Sequence, residues 1–238
     1  MPKKLFVIGV GPGSPAYLTD AAKEAIRKSR CVVGYRYTLS TIEGVIDKSR
    51  QQVFEVTMKT QEDVYQDVYK KMKDSEYCTV PFTGDVNFSE SEVVDRLLEI
   101  FGDDNVEVIP GISSIQLAAA KSHIPTDTAL IVTFHVTGDI EQKKKDLLEA
   151  VTQGRSVILL PRPWPADPSK HFMQSEIAKF LRQNGVDTGR LKAWIFEHLT
   201  TENERTFRGT VADLEAKEFS DLSVMVIDQT KRQSYLEF

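Results

Sequence analysis

The chain has 238 residues, a mass of 26.9 kDa, a net charge of −5 and 41% hydrophobic residues. That length allows one large domain or two modest ones, and the composition is ordinary for a globular protein with a buried core. The acidic charge excludes the general basic field that draws in nucleic acid, so an anionic partner needs a local group of Lys and Arg.

No apolar run approaches the ~18 residues of a membrane-spanning helix, and no leader-like segment precedes the first apolar run. We therefore expect no membrane segment and a cytoplasmic location. The two cysteines, Cys31 and Cys78, each lie within or beside an apolar run. Their number and spacing fit neither a disulfide framework nor a metal site, so we predict buried, unreactive thiols and no bound metal.

A short apolar run leads into the turn G-V-G-P-G-S at residues 9–14. Glycines let the main chain approach a ligand closely, and Pro12 stiffens the turn. A Rossmann dinucleotide site requires a third glycine where Ser14 stands, and an acid where Tyr35 and Arg36 follow the next predicted strand. The sequence therefore disfavours a nicotinamide-dependent oxidoreductase and leaves either an ordinary βα loop or another kind of ligand loop.

The first half of the chain alternates predicted strands and helices, which is the pattern of a parallel sheet. Apolar runs predict strands at residues 5–8, 31–34, 53–56, 77–82 and 106–109. Helical spacing of apolar residues predicts helices at residues 20–29, 61–73, 91–101 and 115–122. Most of residues 35–52 show no clear pattern.

Three of these strands end in turns rich in Gly, Pro and small hydroxyls, with T-G-D-V at 83–86 and P-G-I-S-S at 110–114 joining the first turn. Ligands bind at the carboxyl ends of strands in open α/β sheets, so the three turns predict one ligand site. Asp85 is either a turn former or a ligand contact. Ser113 and Ser114 cap the following helix, contact the ligand, or do both.

The second half changes character, and its later strands follow one another through short turns. The predicted strands are 130–134, 156–160, 191–196, 204–208 and 222–227, and the predicted helices are 140–152 and 169–184. Residues 161–168 contain four prolines and are expected to continue neither helix nor sheet, and Gly209 and Thr210 are expected to form a turn. The pattern predicts a mixed sheet with antiparallel pairs. We expect two α/β domains, 1–123 and 124–238.

Taken together, the three turns resemble the tetrapyrrole (corrin/porphyrin) methyltransferase family. Residues 9–14 resemble its proline-containing loop, T-G-D at 83–85 stands where the family has Gly-Asp-Pro, and I-P-G-I-S-S at 109–114 resembles its Pro-Gly-hydroxyl turn. Within the family, residues 110–120 and 197–210 resemble the CbiE type, the cobalt-precorrin-7 (C5)-methyltransferases. The resemblance covers essentially the whole chain in the right order.

The resemblance implies the two-domain tetrapyrrole methylase architecture, with a mostly parallel sheet in the N-terminal domain and a mixed sheet in the C-terminal domain. It implies S-adenosyl-L-methionine as donor, bound in a cleft between the domains, and S-adenosyl-L-homocysteine as product. It further implies methylation of C5 of a cobalt-corrin precursor in anaerobic cobalamin biosynthesis, and a homodimer. A decarboxylating C15-methyltransferase would then be a separate protein.

The resemblance also implies roles for individual residues. The residues expected to contact the donor are Pro12, Thr83, Gly84, Asp85, Phe88, Ser113, Ser114, Glu197, His198 and Leu199. The residues expected to contact the substrate are Gly11, Gly13, Arg36 and Arg162. Bulky substitution at Gly84 or Gly111 is expected to abolish donor binding while leaving the fold largely intact.

A corrin precursor carries many carboxylates, so an acidic protein needs a local basic rim to hold it. The candidates are the loop cations Arg36, Lys59, Arg162, Lys170 and Arg205, each of which is also ordinary as a solvated side chain. His135 is the candidate catalytic residue, as a proton carrier, because a methylated ring carbon has a proton to lose or move. A single histidine is also often structural.

The chain departs from the family pattern at three places. Val86 replaces the usual proline, F-H-V-T at 134–137 stands where many relatives have His-Gly-Arg, and L-P-R-P at 160–163 replaces Leu-Thr-Asp-Pro. These departures leave the substrate detail open. The alternatives are a methyltransferase of the same fold that acts on another precorrin position, uroporphyrinogen or a diphthine precursor, and a non-catalytic corrinoid-binding subunit.

Overall fold

The computed structural model describes residues 3–88, 90–163 and 171–231. Contacts within the chain divide it into two compact units, Met1–Ser114 and Ile115–Phe238. The predicted domain boundary after residue 123 lies slightly later and stays a prediction. Within the described ranges, no helix is long and apolar enough to cross a membrane. Lys170, one of the predicted cations, lies outside the described residues.

The first unit alternates strands and helices, as predicted. Its strands are β1 (Lys4–Gly9), β2 (Cys31–Tyr35), β3 (Gln52–Val56), β4 (Tyr77–Phe82) and β5 (Val106–Ile109). Its α-helices are α1 (Asp20–Lys28), α2 (Arg36–Ile42), α3 (Gln61–Lys71) and α4 (Ser91–Phe101). Its 3-10 helices are Pro15–Tyr17, Glu43–Val45 and Asp103–Asn105.

The five strands of this unit form one sheet in the order β3-β2-β4-β1-β5, and every pair is parallel. Both faces are buried: Leu5 and Val7 contribute to one core cluster, and Phe6 and Ile8 contribute to the other. Successive side chains of a strand point to opposite faces, so a continuous apolar run is what a strand covered on both sides requires. The prediction of a parallel sheet is confirmed.

Helix α2 occupies part of the stretch for which the sequence showed no clear pattern. Its buried residues include Thr38 and Thr41. The Thr38 hydroxyl donates to the Tyr35 carbonyl at 2.8 Å, and the Thr41 hydroxyl donates to the Tyr37 carbonyl at 3.2 Å. Because the main chain satisfies these hydroxyls, polar-looking residues can line the buried side of the helix.

The second unit has a mixed sheet. Its strands are β6 (Leu130–Thr133), β7 (Val157–Leu160), β8 (Arg162–Pro163), β9 (His171–Phe172), β10 (Lys192–Glu197), β11 (Arg205–Thr210) and β12 (Ser223–Asp228). Its helices are α5 (Ser114–Ser122), which begins at the last residue of the first unit, α6 (Glu141–Thr152), α7 (Gln174–Gln183) and the 3-10 helix Ala212–Ala216.

Five of these strands form a sheet in the order β11-β10-β12-β7-β6. The pair β6–β7 is parallel, and the other pairs are antiparallel. The core of this unit includes Phe134, Leu147, Leu159, Leu181 and Ile195, each fully buried. The predicted mixed sheet is confirmed.

Three local predictions in this unit are wrong. The proline-rich loop begins with β8, which pairs antiparallel with β9, so α7 begins at Gln174 and not near residue 169. Only alternate residues of an antiparallel pair exchange hydrogen bonds, so the pairing of Arg162 with Phe172 tolerates a following proline. Gly209 and Thr210 form no turn, because they pair with β10 inside β11.

Candidate active site

Three loops follow the carboxyl ends of β1, β4 and β5, and their main chains are in direct contact. The Gly84 N–H donates to the Gly11 carbonyl at 2.7 Å, and the Gly11 N–H donates to the Gly84 carbonyl at 3.3 Å. The two residues form an antiparallel bridge beyond the sheet. The loops predicted to line one ligand site therefore lie side by side at one edge of the parallel sheet.

Gly9 and Gly111 explain how closely the loops pack. A Cβ on Gly9 would lie 2.5 Å from the Gly84 carbonyl oxygen and 2.6 Å from the Gly111 nitrogen. A Cβ on Gly111 would overlap the main chain of Gly9 and the carbonyl oxygen of Gly84. Main chain cannot move aside as a flexible side chain does, so the expectation that a bulky residue at Gly111 leaves the fold intact is wrong.

Gly84 differs from Gly9 and Gly111 because an added Cβ there would clash with nothing and would only reach ordinary van der Waals contact. Its φ is +73°, a conformation that favours glycine. The nearest atoms to an added Cβ are the Ser113 Cα and the Ser114 nitrogen, both at 3.9 Å. The main chain of the β4 loop therefore faces a small space bounded by the start of α5, where a ligand could approach the backbone.

Both carboxylate oxygens of Asp85 accept hydrogen bonds from main chain. Oδ2 accepts from the Gly111 N–H at 2.8 Å, and Oδ1 accepts from the Asn87 N–H at 2.9 Å. The first bond joins the β4 loop to the β5 loop, and the second shapes the turn of Asp85 itself. The structure supports the turn-forming interpretation of Asp85, and its contact with a ligand stays a prediction.

Val86 and Phe88 complete the β4 turn. Val86, noted above as a departure from the family pattern, is fully buried in the same core cluster as Val93 and Leu97. The Phe88 N–H donates to the Asp85 carbonyl at 3.2 Å, and the Phe88 side chain is half-buried. Core packing at Val86 therefore holds a turn that proline would otherwise stiffen. Thr83, another predicted donor contact, is half-buried before this turn.

The β1 loop is compact and does not start an α-helix. Gly11 and Pro12 are buried, and Gly13 is half-buried. The Ser14 hydroxyl caps the short 3-10 helix Pro15–Tyr17, and α1 begins only after that. A dinucleotide site places its pyrophosphate at the N-terminus of a helix that begins within the glycine turn. The loop geometry therefore agrees with the argument against an oxidoreductase.

The predicted cations differ in exposure. Arg36 begins α2 at the carboxyl end of β2, and its side chain is exposed, as are those of Lys59 and Arg205. Arg162 is 3% exposed, and its Nη2 donates to the carbonyls of Thr137 and Gly138 at 3.0 and 2.9 Å. Arg162 thus holds the loop after β6, and its contact with a substrate stays a prediction.

The predicted donor contacts of the second unit lie at the end of β10 and in the tightly held loop that follows it. Glu197 Oε1 accepts from the Ser220 N–H at 2.7 Å, and the His198 N–H donates to the Leu222 carbonyl at 2.9 Å. Leu199 is buried at 4% exposure. His198 has a φ of +49°, which is uncommon for a residue with a side chain.

Glu204 fixes the far end of this loop. One of its oxygens accepts from the Thr200 N–H at 2.7 Å, and the other pairs with the Lys121 ammonium at 2.7 Å. Partial burial opposes ionisation of Glu204, but the bonds from Lys121 and Thr200 outweigh it and lower the pKa of the carboxyl. Thr200 has a φ of +68°, and these contacts hold it there.

His135 lies just after β6, and its main-chain N–H donates to the Thr133 hydroxyl at 3.0 Å. Burial lowers the pKa of the imidazole, and Asp221 partly opposes that effect. A neutral imidazole at neutral pH can accept a proton, which suits the predicted proton carrier.

A second group of titratable side chains was missed by the sequence reasoning. Tyr35, at the end of β2, donates from its hydroxyl to Gln61 Oε1 at 2.7 Å. Tyr65 on α3 is 2% exposed. Burial, with a smaller effect of Glu92, raises the pKa of Glu90 to about 7. Glu90 directly precedes α4, and its side chain makes no capping hydrogen bond to the helix; burial, which no local sequence pattern shows, is what distinguishes it.

Among residues 3–88, 90–163 and 171–231, no group of three or more His, Cys, Asp or Glu side chains is placed to hold a metal ion. Cys31 and Cys78 are both buried free thiols, as predicted.

The family model for Tetrapyrrole (Corrin/Porphyrin) Methylases matches residues 4–215. The chain belongs to this family. It is 31% identical to the "Probable cobalt-precorrin-7 C(5)-methyltransferase" of Methanocaldococcus jannaschii over 94% of this chain and 97% of that relative. The resemblance noted in the sequence is thereby confirmed.

Solved structures of the family share the fold. The precorrin-6Y methylase (cbiE) of Archaeoglobus fulgidus matches with a TM-score of 0.64 and 22% identity, covering 95% of this chain and 97% of that one. The uroporphyrin-III C-methyltransferase of Thermus thermophilus, solved with S-adenosylhomocysteine, matches with a TM-score of 0.67 and 19% identity, covering 94% and 91%. The predicted α/β architecture is confirmed.

Proposed function

We propose that this chain is an S-adenosyl-L-methionine-dependent C-methyltransferase that acts at C5 of cobalt-precorrin-7 in anaerobic cobalamin biosynthesis. The observation that carries the proposal is the end-to-end similarity to the Methanocaldococcus jannaschii relative, whose name specifies that reaction. The loop cluster at Gly9, Gly84 and Gly111 supports it, because it presents main chain to a ligand at the carboxyl edge of a parallel sheet.

The described residues fit the methyl donor. S-adenosyl-L-methionine supplies a methyl group on a cationic sulfur, and S-adenosyl-L-homocysteine is left after transfer. The main chain of Ser113 and Ser114 lies nearest to the side-chain position of Gly84, so small residues and no bulky side chain border this part of the loop cluster. The residues proposed to hold the donor are Pro12, Thr83, Gly84, Asp85, Phe88, Ser113, Ser114, Glu197, His198 and Leu199.

Methyl transfer from a sulfonium is an in-line displacement that depends largely on alignment, so rigid loops can supply much of the catalysis. The hydrogen bond from Gly111 to Asp85 joins the β5 loop to the β4 loop, and the bond from Asn87 to Asp85 fixes the β4 turn itself. Both bonds would keep the loops rigid for methyl transfer. Gly11 and Gly13 would border the acceptor, and the exposed Arg36 would attract its carboxylates. Arg162 is proposed to contact the substrate from the second unit, through the loop that it holds. The sequence predicts His135 as a candidate proton carrier, and that role stays a prediction.

The biological setting belongs to the same proposal. A cytoplasmic location is carried over from the sequence, and a homodimer and a separate decarboxylating C15-methyltransferase are carried over from the family resemblance. Sedimentation of the purified chain tests the dimer, and a mass equal to one chain would contradict it.

The reaction is tested by incubating the purified chain with S-adenosyl-L-methionine and a panel of acceptors. The panel contains cobalt-precorrin-7, a precorrin methylated at another position, uroporphyrinogen III and elongation factor with the diphthine precursor. We expect transfer to cobalt-precorrin-7, with the new methyl group at C5 by mass spectrometry and NMR. Transfer only to another acceptor would assign the chain to that reaction and refute the C5 proposal.

A further inference from the structure

A polar cluster borders the β4 turn on the side opposite to the glycine loops. In the sheet, β4 lies between β2 and β1. Gly9 of β1 pairs with Phe82 of β4, and the register of β2 with β4, continued from Cys31 opposite Cys78, places Tyr35 level with Phe82. One row across three neighbouring strands therefore contains Tyr35, Phe82 and Gly9. The turn with Gly84 follows Phe82 directly in the chain.

The residues of this cluster belong to β2, to α3 and to the residue before α4; Gln61 and Tyr65 are buried, and Tyr35 and Glu90 are half-buried. The Tyr35 hydroxyl donates to Gln61, which is 3% exposed, and also contacts the Met58 sulfur at 3.2 Å. Tyr65 is 2% exposed, and its hydroxyl has no hydrogen-bond partner among the residues that the structure describes. A buried hydroxyl without a partner costs free energy unless a ligand or water satisfies it.

Glu90 lies at the start of α4, just after the β4 turn, and is half-buried. No hydrogen bond or ion pair joins its carboxylate to another described residue, whereas both oxygens of Asp85 are occupied by main chain. The titratable groups that act on this cluster are Tyr35, Tyr65, Cys78, Glu92 and Arg96. Arg96 is the one cation among them and does not pair with Glu90, so the carboxylate remains available.

We propose that Glu90 accepts the proton that the acceptor carbon loses in methyl transfer, and that the hydroxyls of Tyr35 and Tyr65 line its site. The inference rests on the proposed function, because the acceptor ring carbon there carries a hydrogen. A π electron pair of the ring forms the new C–C bond while the methyl C–S bond of the donor breaks, and the electron pair of that bond stays on sulfur as S-adenosyl-L-homocysteine leaves. When the C–H bond then breaks, its electron pair returns to the ring and the proton passes to a carboxylate oxygen of Glu90.

The environment of Glu90 suits this role. Burial raises the pKa of its carboxyl to about 7, with repulsion from Glu92 as a smaller cause. A base whose pKa lies near the working pH combines a substantial ionised fraction with good proton affinity. Methyl transfer should therefore increase as pH rises through about 7, where Glu90 loses its own proton.

The test measures kcat/KM for cobalt-precorrin-7 from pH about 5.5 to about 9 in wild type and Glu90→Gln. We expect the wild-type rise near pH 7 to disappear in Glu90→Gln, with kcat/KM lower by about a hundredfold at pH about 8. Glu99→Gln, an exposed position on the same helix, is the matched control and should keep the wild-type profile. S-adenosylhomocysteine binding should be equal in all three proteins.

A second measurement does not depend on activity. In the free protein with carbon-13-labelled glutamate, NMR should show one carboxyl that titrates near pH 7 and is missing in Glu90→Gln. A wild-type pH profile in Glu90→Gln, loss of donor-product binding in that variant, or absence of this titration would each overturn the inference. Loss of the rise in His135→Asn instead would assign the proton to His135. Wild type that methylates no cobalt-precorrin-7 would refute the proposed function itself.

Discussion

Gly84 is the position where we propose that the donor contacts the main chain. Its φ of +73° and the space toward Ser113 and Ser114 make Gly84→Leu a direct test of the donor site. We expect the leucine to fill that space and weaken S-adenosylhomocysteine binding at least about a hundredfold, which is ~2.7 kcal/mol. Calorimetric titration of the folded variant measures the effect.

Backbone strain alone is controlled by Gly154→Leu. Gly154 has a φ of +77°, and nothing lies within 4 Å of an added Cβ. That variant should lose a similar amount of unfolding free energy, roughly 1–2 kcal/mol, because leucine disfavours this conformation. It should bind S-adenosylhomocysteine like wild type. Normal binding by a folded Gly84→Leu would show that the donor lies elsewhere.

From the sequence, the type of each site residue suggested its possible roles, but the partners that decide between these roles could not be predicted. The motif around Asp85 indicated a turn or a ligand contact, and the choice depended on which N–H groups reach its carboxylate. The bond from Gly111 spans two loops distant in sequence, so no local pattern contains it. Likewise, Arg162 looked like a surface cation, but the carbonyls that bury it belong to the loop after β6.

At the scale of elements, the loop after β10 depends on Glu204. Its pKa is lowered in the folded protein, so its contribution to stability is present above the ordinary glutamate value of 4.5 and is lost as pH falls through the lowered pKa. We expect Glu204→Gln to lose on the order of 1 kcal/mol of unfolding free energy at pH 7, because the Lys121 ion pair is partly exposed. Urea unfolding at several pH values measures the difference.

Glu202→Gln is the matched control for this loop, because Glu202 is exposed in the same segment. It should leave stability unchanged at every pH. A difference between wild type and Glu204→Gln that persists unchanged at acidic pH would refute the electrostatic explanation and point to a packing effect.

Most elements could be predicted because their apolar spacing is strong. Helix α4 and strand β5 have the bounds that the spacing indicated. Helix α2 and the β8–β9 pair could not be predicted, for opposite reasons. In α2, the buried face carries the hydroxyls of Thr38 and Thr41, so it shows no apolar spacing. In the β8–β9 pair, Arg162 pairs with Phe172, which lies beyond the prolines in the sequence.

At the scale of the whole molecule, alternation of strands and helices sufficed to predict a parallel sheet and a mixed sheet. The order β3-β2-β4-β1-β5 could not be read from local patterns, since each neighbour pair is set by long-range packing. That order decides the site. It places β1 between β4 and β5, so that the three glycine-rich turns meet, and it places Tyr35 and Glu90 on the other flank of the same turn.

The contact of Gly9, Gly84 and Gly111 determines how the affinity for S-adenosylhomocysteine should depend on ionic strength. Uncharged peptide groups form this surface, and the carboxylate of Asp85 is already engaged by N–H groups. Salt screens exposed charges and has little effect on such a surface. S-adenosylhomocysteine affinity should therefore stay constant as sodium chloride rises, while the KM for the many-carboxylate acceptor increases because Arg36 is solvent-exposed. Parallel weakening of both would mean that charged side chains hold the donor as well.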